Sequence, residues 1–227
     1  MTQFRRIILV VLLIITGISF SSVIHAQYND SFEIARVKYR GGGDWYNDPS
    51  SLTNLIAFTK DRVPISISNS YKDVALGSTD IFSYPFLYLT GHGTITANNV
   101  EIRNLRTYLD HGGFLYVDDD YGLDESIREL MKEVYPDEEM IELPFNHPIY
   151  DQLFRFNNGL PKIHEHDNKP PQGFGIFRNG RLVFFYTYET NLADGWADAE
   201  VHNDPQDVRE KALQMGANIL IYALTRS

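Results

Sequence analysis

GGFLYVDDDYGLDESIRELMKEVYP, residues 112–136, sets a short apolar run, three aspartates and an amphipathic stretch in one line. Phe114 to Val117 is continuously apolar, the pattern of a strand covered on both faces. His111-Gly112-Gly113 before it is a helix stop. Asp124 can cap a helix that runs to about Tyr135 and ends at Pro136. A buried strand between two helices is the repeating unit of an α/β sheet.

The same order extends on both sides. Phe32 to Tyr39 reads as a strand with alternating faces, broken by Gly41-Gly42-Gly43-Asp44. Ser50 or Ser51 can cap a helix to about Arg62, with Leu52, Leu55, Ile56 and Thr59 on one face. Ile65 to Ser68 is a short strand candidate. Phe86 to Thr90 (FLYLT) is a second doubly buried strand, ended by Gly91-His92-Gly93. A helix from about Asn98 to Asp110 turns Val100, Ile102, Leu105 and Leu109 inward. Toward the C-terminus, Met140 to Leu143 can form a strand and Pro148 to Phe154 one or two helical turns. Gly173 to Phe177 and Arg181 to Tyr188 flank Asn179-Gly180, a strong hairpin signal. Asp204 as cap and Pro205 at the first position start the last helix, with Val208, Ala212, Met215, Ile219 and Tyr222 at helical spacing. The expected architecture is a three-layer α/β domain over residues 27–227, with a mostly parallel sheet, a late antiparallel hairpin and a closing helix.

Composition narrows the function. The 227-residue chain has 30 acidic and 20 basic side chains, seven histidines and no cysteine. A formal charge of −10 argues against nucleic acid as a partner, because phosphate binding needs a basic surface. Without cysteine there is no disulfide, thiolate metal site or cysteine nucleophile. Residues 1–26 read as a signal peptide: Arg5 and Arg6, the apolar run Ile7 to Ile15, and Ala26 at the cleavage position. Cleavage after Ala26 would send the mature chain to the periplasm; uncleaved, this segment would be its contact with a membrane.

Three strand ends carry candidate chemistry, since ligands in open parallel sheets bind beyond the carboxyl ends of the strands. Asp44 and Trp45 follow the first, His92 the second, and Asp118, Asp119 and Asp120 the third. Adjacent carboxylates repel, and a divalent cation or substrate hydroxyls would relieve them. The competing reading has Asp118 bonding backbone amides, with Asp119 and Asp120 solvated and one of them capping the helix. His164-Glu165-His166-Asp167 is a second cluster; if extended, His164 and His166 share a face and can hold one metal, completed by Asp119 and Asp120. His92 and Glu165 are candidate acids or bases. Trp45 and Trp196, each beside Asp in polar surroundings, can stack on a sugar or anchor a partner. Tyr186, Tyr188 and Glu189 precede the second tryptophan and belong to its region. Serine catalysis has no support, because no Gly-x-Ser-x-Gly elbow is present.

Five segments together resemble the bacterial domain-of-unknown-function family numbered 4159: GGGDWYNDPSSL (41–52), YPFLYLTGHG (84–93), GGFLYVDDDYG (112–122), LPKIHEHDNKPPQGFGIF (160–177) and the span from Thr187 to Leu224. The resemblance implies a class I glutamine amidotransferase-like fold, close in plan to flavodoxin, and an envelope-assembly setting. It supplies no activity. Where catalytic amidotransferases carry their cysteine, this chain has aspartates, which excludes glutaminase chemistry through a thioester.

Two functions are therefore expected. One is a non-catalytic module that recognises a glycan or an envelope protein through Asp44, Trp45, His92, Asp118, Asp119 and Trp196. The other is a hydrolase dependent on a divalent metal held by Asp119, Asp120, His164 and His166. The second requires those groups to converge in one cleft.

Overall fold

A computed structural model describes residues 31–164 and 166–225. The segment 1–26 expected to be a signal peptide, its expected cleavage point and Glu165 lie outside the described residues. Seven strands share one sheet: β1 (Ile34–Lys38), β2 (Lys72–Ala75), β3 (Phe86–Leu89), β4 (Phe114–Asp118), β5 (Ile141–Glu142), β6 (Gln172–Arg178) and β7 (Arg181–Tyr188). Their spatial order is β2-β1-β3-β4-β7-β6-β5. The first five in that order run parallel, while β6 and β5 are antiparallel additions. The helices are α1 (Ser51–Lys60), α2 (Asn99–Asp110), α3 (Asp124–Val134), α4 (Leu192–Trp196), α5 (Ala199–His202) and α6 (Gln206–Thr225). Among the described residues no helix is long and apolar enough to cross a membrane.

The central strands sort their side chains by shape. Leu87, Leu89, Leu115 and Val117 point into one apolar layer with Ile102, Leu105 and Leu109 of α2 and Ile127, Leu130 and Met131 of α3. Phe86, Tyr88, Phe114 and Tyr116 point into the other, with Leu52 and Leu55 of α1, Trp196 of α4 and Met215 and Ile219 of α6. Alternation along a strand separates the two sets. On the aromatic face Phe86 stacks on Phe114 with ring centres 5.9 Å apart, and Tyr88 on Tyr116 at 5.8 Å. Each such pair adds about 0.5–1.5 kcal/mol beyond its buried area. Helices on both faces make three layers.

Several local expectations change. β1 is buried along both faces except at Lys38, because helices cover both sides of the sheet. Residues 65–68 form only a single bridge, Phe32 with Ile67; the neighbouring strand is β2, seven residues beyond the expected start. Val100 is 46 % exposed, and Tyr108 takes an inward place on α2 instead. α2 does begin with a complete capping box, Asn98 with Glu101. Asp124 does not cap α3: Leu123 holds that position, and Asp124 Oδ1 accepts from Arg128 Nε at 2.7 Å and Tyr186 Oη at 3.0 Å. Asp204 meets His164, at 2.8 Å from Oδ1 to Nε2.

The chain leaves β1 for β2 on one side and returns to β3 on the other. The loops after β1 and β3 therefore lie at this switch, beyond the strand ends where open parallel sheets bind ligands. They are zipped together by Gly43 N to Thr94 O at 3.2 Å and Thr96 N to Arg40 O at 2.6 Å.

Candidate functional site

All three aspartates after β4 are buried, and each does something different. Asp118 Oδ1 accepts from Thr187 Oγ1 at 2.5 Å and Tyr116 Oη at 3.1 Å; its Oδ2 accepts the Ala193 amide at 2.7 Å. Burial pushes its pKa up to about 6, with the bonds from Thr187 and Ala193 opposing that rise. Asp119 turns the other way. Its Oδ1 accepts the Leu123 amide at 2.9 Å, ahead of α3, and its Oδ2 accepts Tyr186 Oη at 3.1 Å. Burial likewise pushes Asp119 up to about 6. Asp120 meets the neighbouring loops: Oδ1 accepts Asn191 Nδ2 at 2.9 Å, Oδ2 accepts from Asn47 Nδ2, and His92 Nδ1 lies 3.3 Å away.

Asp118 positions the next carboxylate. By holding the Ala193 amide it fixes the first turn of α4, and Asp194 is the next residue. Asp194 is 4 % exposed. Its Oδ2 lies 2.5 Å from His164 Nδ1 and accepts Asn191 Nδ2 at 3.4 Å. Among the described residues its Oδ1 is buried without a hydrogen-bond partner; His202 Nε2 stands 3.7 Å off. His202 Nε2 also meets both oxygens of Asp48, at 3.0 and 3.1 Å. One ligand atom from each of Asp48, Asp120 and Asp194 lies within 4.8 Å of the others, and so does one from each of His164, Asp194 and His202.

The electrostatics are unbalanced. Among the described residues no lysine or arginine pairs with Asp48, Asp118, Asp120 or Asp194. Burial first, then Asp194, raises the Asp120 pKa; burial first, then Asp48 and Asp118, raises that of Asp194. The backbone around the cluster is unusual too. Asp48, Glu189, Asn191 and Asn203 all have left-handed φ, between 45° and 60°. Asn and Asp tolerate that region, but Glu189 at φ 60° holds a costlier conformation.

The expected site residues divide. Asp44, His92 and Asp120 meet, with Asp44 Oδ2 3.1 Å from His92 Nδ1 and Asp44 Oδ1 accepting the His92 amide at 2.5 Å. His164 joins Asp120 through Asp194. The shared metal face expected of His164 and His166 is not formed. His166 Nε2 instead bonds Asn191 Oδ1 at 2.9 Å, and its ring lies 4.7 Å from that of Tyr121. Asp119 points away from the cluster, so the set Asp119, Asp120, His164 and His166 does not share one centre.

Trp196 is not a surface tryptophan. It is 0 % exposed, donates from Nε1 to Ala212 O at 2.8 Å and packs 6.0 Å from Tyr116. Of its polar neighbours in the chain Asp198 is exposed and Asp194 is buried, and α4 presses the ring onto α6. Trp45 is half buried beneath Arg36, whose guanidinium lies 5.3 Å over its ring. Tyr46 is the ring this loop presents, at 61 % exposure. Beside the cluster, Tyr121, His166, Asp167, Lys169 and Tyr188 line a groove of about 390 Å³.

Asp48, Asp194 and His202 were not singled out from the sequence. Asp48 and Asp194 sit inside segments noticed for their tryptophans, Gly43–Asp48 and Asp194–Asp198. His202 is isolated, and no spacing connects it to either. Asp48 has φ 45° although it precedes Pro49, which favours extended backbone, so its sequence neighbourhood gives no sign of this conformation.

No curated protein matches the chain. Residues 33–224 match the family described as a domain of unknown function (DUF4159), and the chain belongs to that family.

Proposed function

We propose that this domain is a metal-dependent hydrolase whose cation is held by Asp48, Asp120 and Asp194 beyond the carboxyl ends of the parallel strands. The observation that carries the reading is Asp194 Oδ1, which among the described residues is buried without a hydrogen-bond partner beside carboxylates that no lysine or arginine offsets. Such an arrangement costs several kcal/mol unless something positive offsets it. Carboxylate oxygens suit magnesium, calcium or manganese. A cation bound there would supply acidity to a coordinated water. His92 is the acid or base: it is half exposed at the mouth of the cluster, and its Nδ1 is held between Asp44 and Asp120. Asp118 and Asn191 are positioning residues, because they orient Asp194 and Asp120.

The strand order β2-β1-β3-β4-β7 supports a flavodoxin-like reading of the parallel part, with the switch between β1 and β3 at this site. In an amidotransferase-like plan the turn after β4 would carry the nucleophile; here the same turn supplies a ligand, Asp120. We place the domain in the periplasm on the strength of its N-terminal segment.

A second reading keeps the cation and drops the chemistry. Tyr46 and Tyr121, 61 % and 51 % exposed, favour a recognition module that stacks on a glycan or binds an envelope protein. One experiment separates the two: metal analysis of chelator-free protein, followed by turnover of chromogenic phosphate, carboxylate and glycoside esters with added manganese or zinc. Stoichiometric metal with turnover lost in His92→Gln supports the hydrolase. Stoichiometric metal without turnover favours the module. Protein with no metal and an unchanged melting temperature overturns both.

A further inference from the structure

We infer that the same edge holds a second cation, bound by His164 and His202 and sharing Asp194 with the first. The inference rests on the cation reading above, shares Asp194 with it and adds two histidines. His164 comes from the segment between the short 3-10 turn Pro148–Tyr150 and β6, Asp194 from α4 and His202 from α5. One ligand atom from each lies within 4.8 Å of the other two.

The orientation of His164 is the strongest argument. Its Nε2 lies 2.8 Å from Asp204 Oδ1 and its Nδ1 lies 2.5 Å from Asp194 Oδ2. Asp204 thus backs one ring nitrogen while Asp194 Oδ2 faces the other, so a cation beside the Nδ1–Oδ2 pair would find an imidazole nitrogen and a carboxylate oxygen together. A carboxylate behind a histidine that faces a metal is a recurrent second layer of metal sites, fixing the ring and raising its donor strength. On the other side, His202 Nε2 lies 3.0 Å from Asp48 Oδ1 and 3.7 Å from the unpartnered Asp194 Oδ1, at the seam of the two ligand sets. The two imidazole rings stand edge to face with centres 5.6 Å apart, both partly open to solvent.

The two ligand sets differ in chemistry. Asp48, Asp120 and Asp194 offer oxygen alone, whereas His164 and His202 add two imidazole nitrogens, which suit zinc. A carboxylate common to both would bring the two cations close, the arrangement that clamps the attacking and leaving oxygens of one displacement.

The test uses the full chain, purified without chelator, dialysed against zinc and analysed for metal per chain. Zinc-edge X-ray absorption on the same wild-type sample reads nitrogen ligands directly and needs no variant. We expect two equivalents with a nitrogen shell containing imidazole. The double variant His164→Gln/His202→Gln, its fold checked by circular dichroism, should hold one equivalent and lose the imidazole signal. Saturation of the wild type at one equivalent that survives the double variant and is lost in Asp120→Asn overturns the second site and leaves the first standing. A double variant that still holds two equivalents also overturns it. A wild type that binds no zinc overturns the second site, and one that binds neither zinc nor manganese overturns both.

Discussion

Asp118, the last residue of β4, accepts the backbone amide of Ala193, 75 residues later in the chain, at 2.7 Å. This bond ties the end of a central strand to the first turn of α4 and sets Asp194 beside Asp120. The same carboxylate takes the hydroxyls of Thr187 and Tyr116, so all its bonds are made inside the protein. We expect Asp118→Ala to cost about 3 kcal/mol in urea unfolding, since three donors lose their acceptor. It should also weaken cation binding more than tenfold. Unchanged affinity in a folded variant would detach Asp118 from the site.

Trp196 is expected to matter for stability and not for contact with a ligand. Its ring fills the space between Tyr88, Tyr116 and Gly216, and a Cβ on Gly216 would lie 2.7 Å from the indole. Trp196→Ala should cost about 3–5 kcal/mol. In Trp45→Phe, where Trp196 is the remaining tryptophan, emission should be blue-shifted and resist quenching by iodide. Red, quenchable emission would place the ring at the surface.

Gly91 has φ 133°, and a Cβ there would lie 2.5 Å from Tyr39 Oη and 2.9 Å from Asp44 Oδ1. Gly91→Ala should destabilise by about 2–4 kcal/mol and pull Asp44 away from His92. Gly42→Ala is the control. Gly42 also has positive φ, 97°, but a Cβ there meets nothing within 4 Å, so it should cost only about 1 kcal/mol. Thermal melts of the two variants compare the terms.

Glu189 sets an acid limb to stability. Burial alone would raise its pKa, but Lys162 Nζ at 2.8 Å and the Asp167 amide at 2.7 Å outweigh it and hold the carboxyl below its usual value. A carboxyl with a lowered folded pKa adds stability above its unfolded pKa, and this is lost as pH falls through the folded value. Glu189→Gln should therefore be less stable than wild type at pH 7, by about 1 kcal/mol. The difference should shrink as pH falls below the ordinary glutamate value and through the lower folded one. A constant difference from pH 7 to pH 3 would refute this account.

Cation binding should stabilise the fold by linkage. At a hundredfold excess over the dissociation constant the gain is about 2.7 kcal/mol, or roughly 5–10 °C in melting temperature for a domain of this size. Manganese or zinc should produce that shift in the wild type and not in Asp194→Asn. A shift of equal size in both would locate the cation elsewhere.

Much of the sheet was legible because its signals are local. Phe86–Leu89 and Phe114–Val117 are uninterrupted apolar runs, and such runs have no exposed face to advertise. β2 was misplaced for the opposite reason. Lys-Asp-Val-Ala buries only Val74, so an edge strand of mixed polarity looks like a loop. Val100 failed by its position at the start of α2, where the apolar layer has not yet begun to cover the helix.

The site was half legible. Asp120, His92 and Asp44 stand at strand ends, and the rule that ligands bind there needs only the order of strands. Asp48 and His202 are 154 residues apart yet bonded, and nothing in either neighbourhood announces the other. His164 and His166 have the spacing of a metal pair, but spacing identifies a shared face only in an extended strand. Here the segment is held by Ile163 N and His164 N on Thr190 O, at 2.9 and 3.4 Å, and the two rings diverge.

The amino-acid sequence by itself determined the class of sheet, the family, the absence of any thiol chemistry and the concentration of carboxylates after β4. Those follow from residue type and near-neighbour pattern. Tertiary structure alone decided which carboxylate oxygens, among the described residues, stay buried without a hydrogen bond, which histidines face Asp194 and which tryptophan is core. The reason is physical: a carboxylate's charge matters within a few ångströms, and those distances are set by where α4 and α5 come to rest on the sheet.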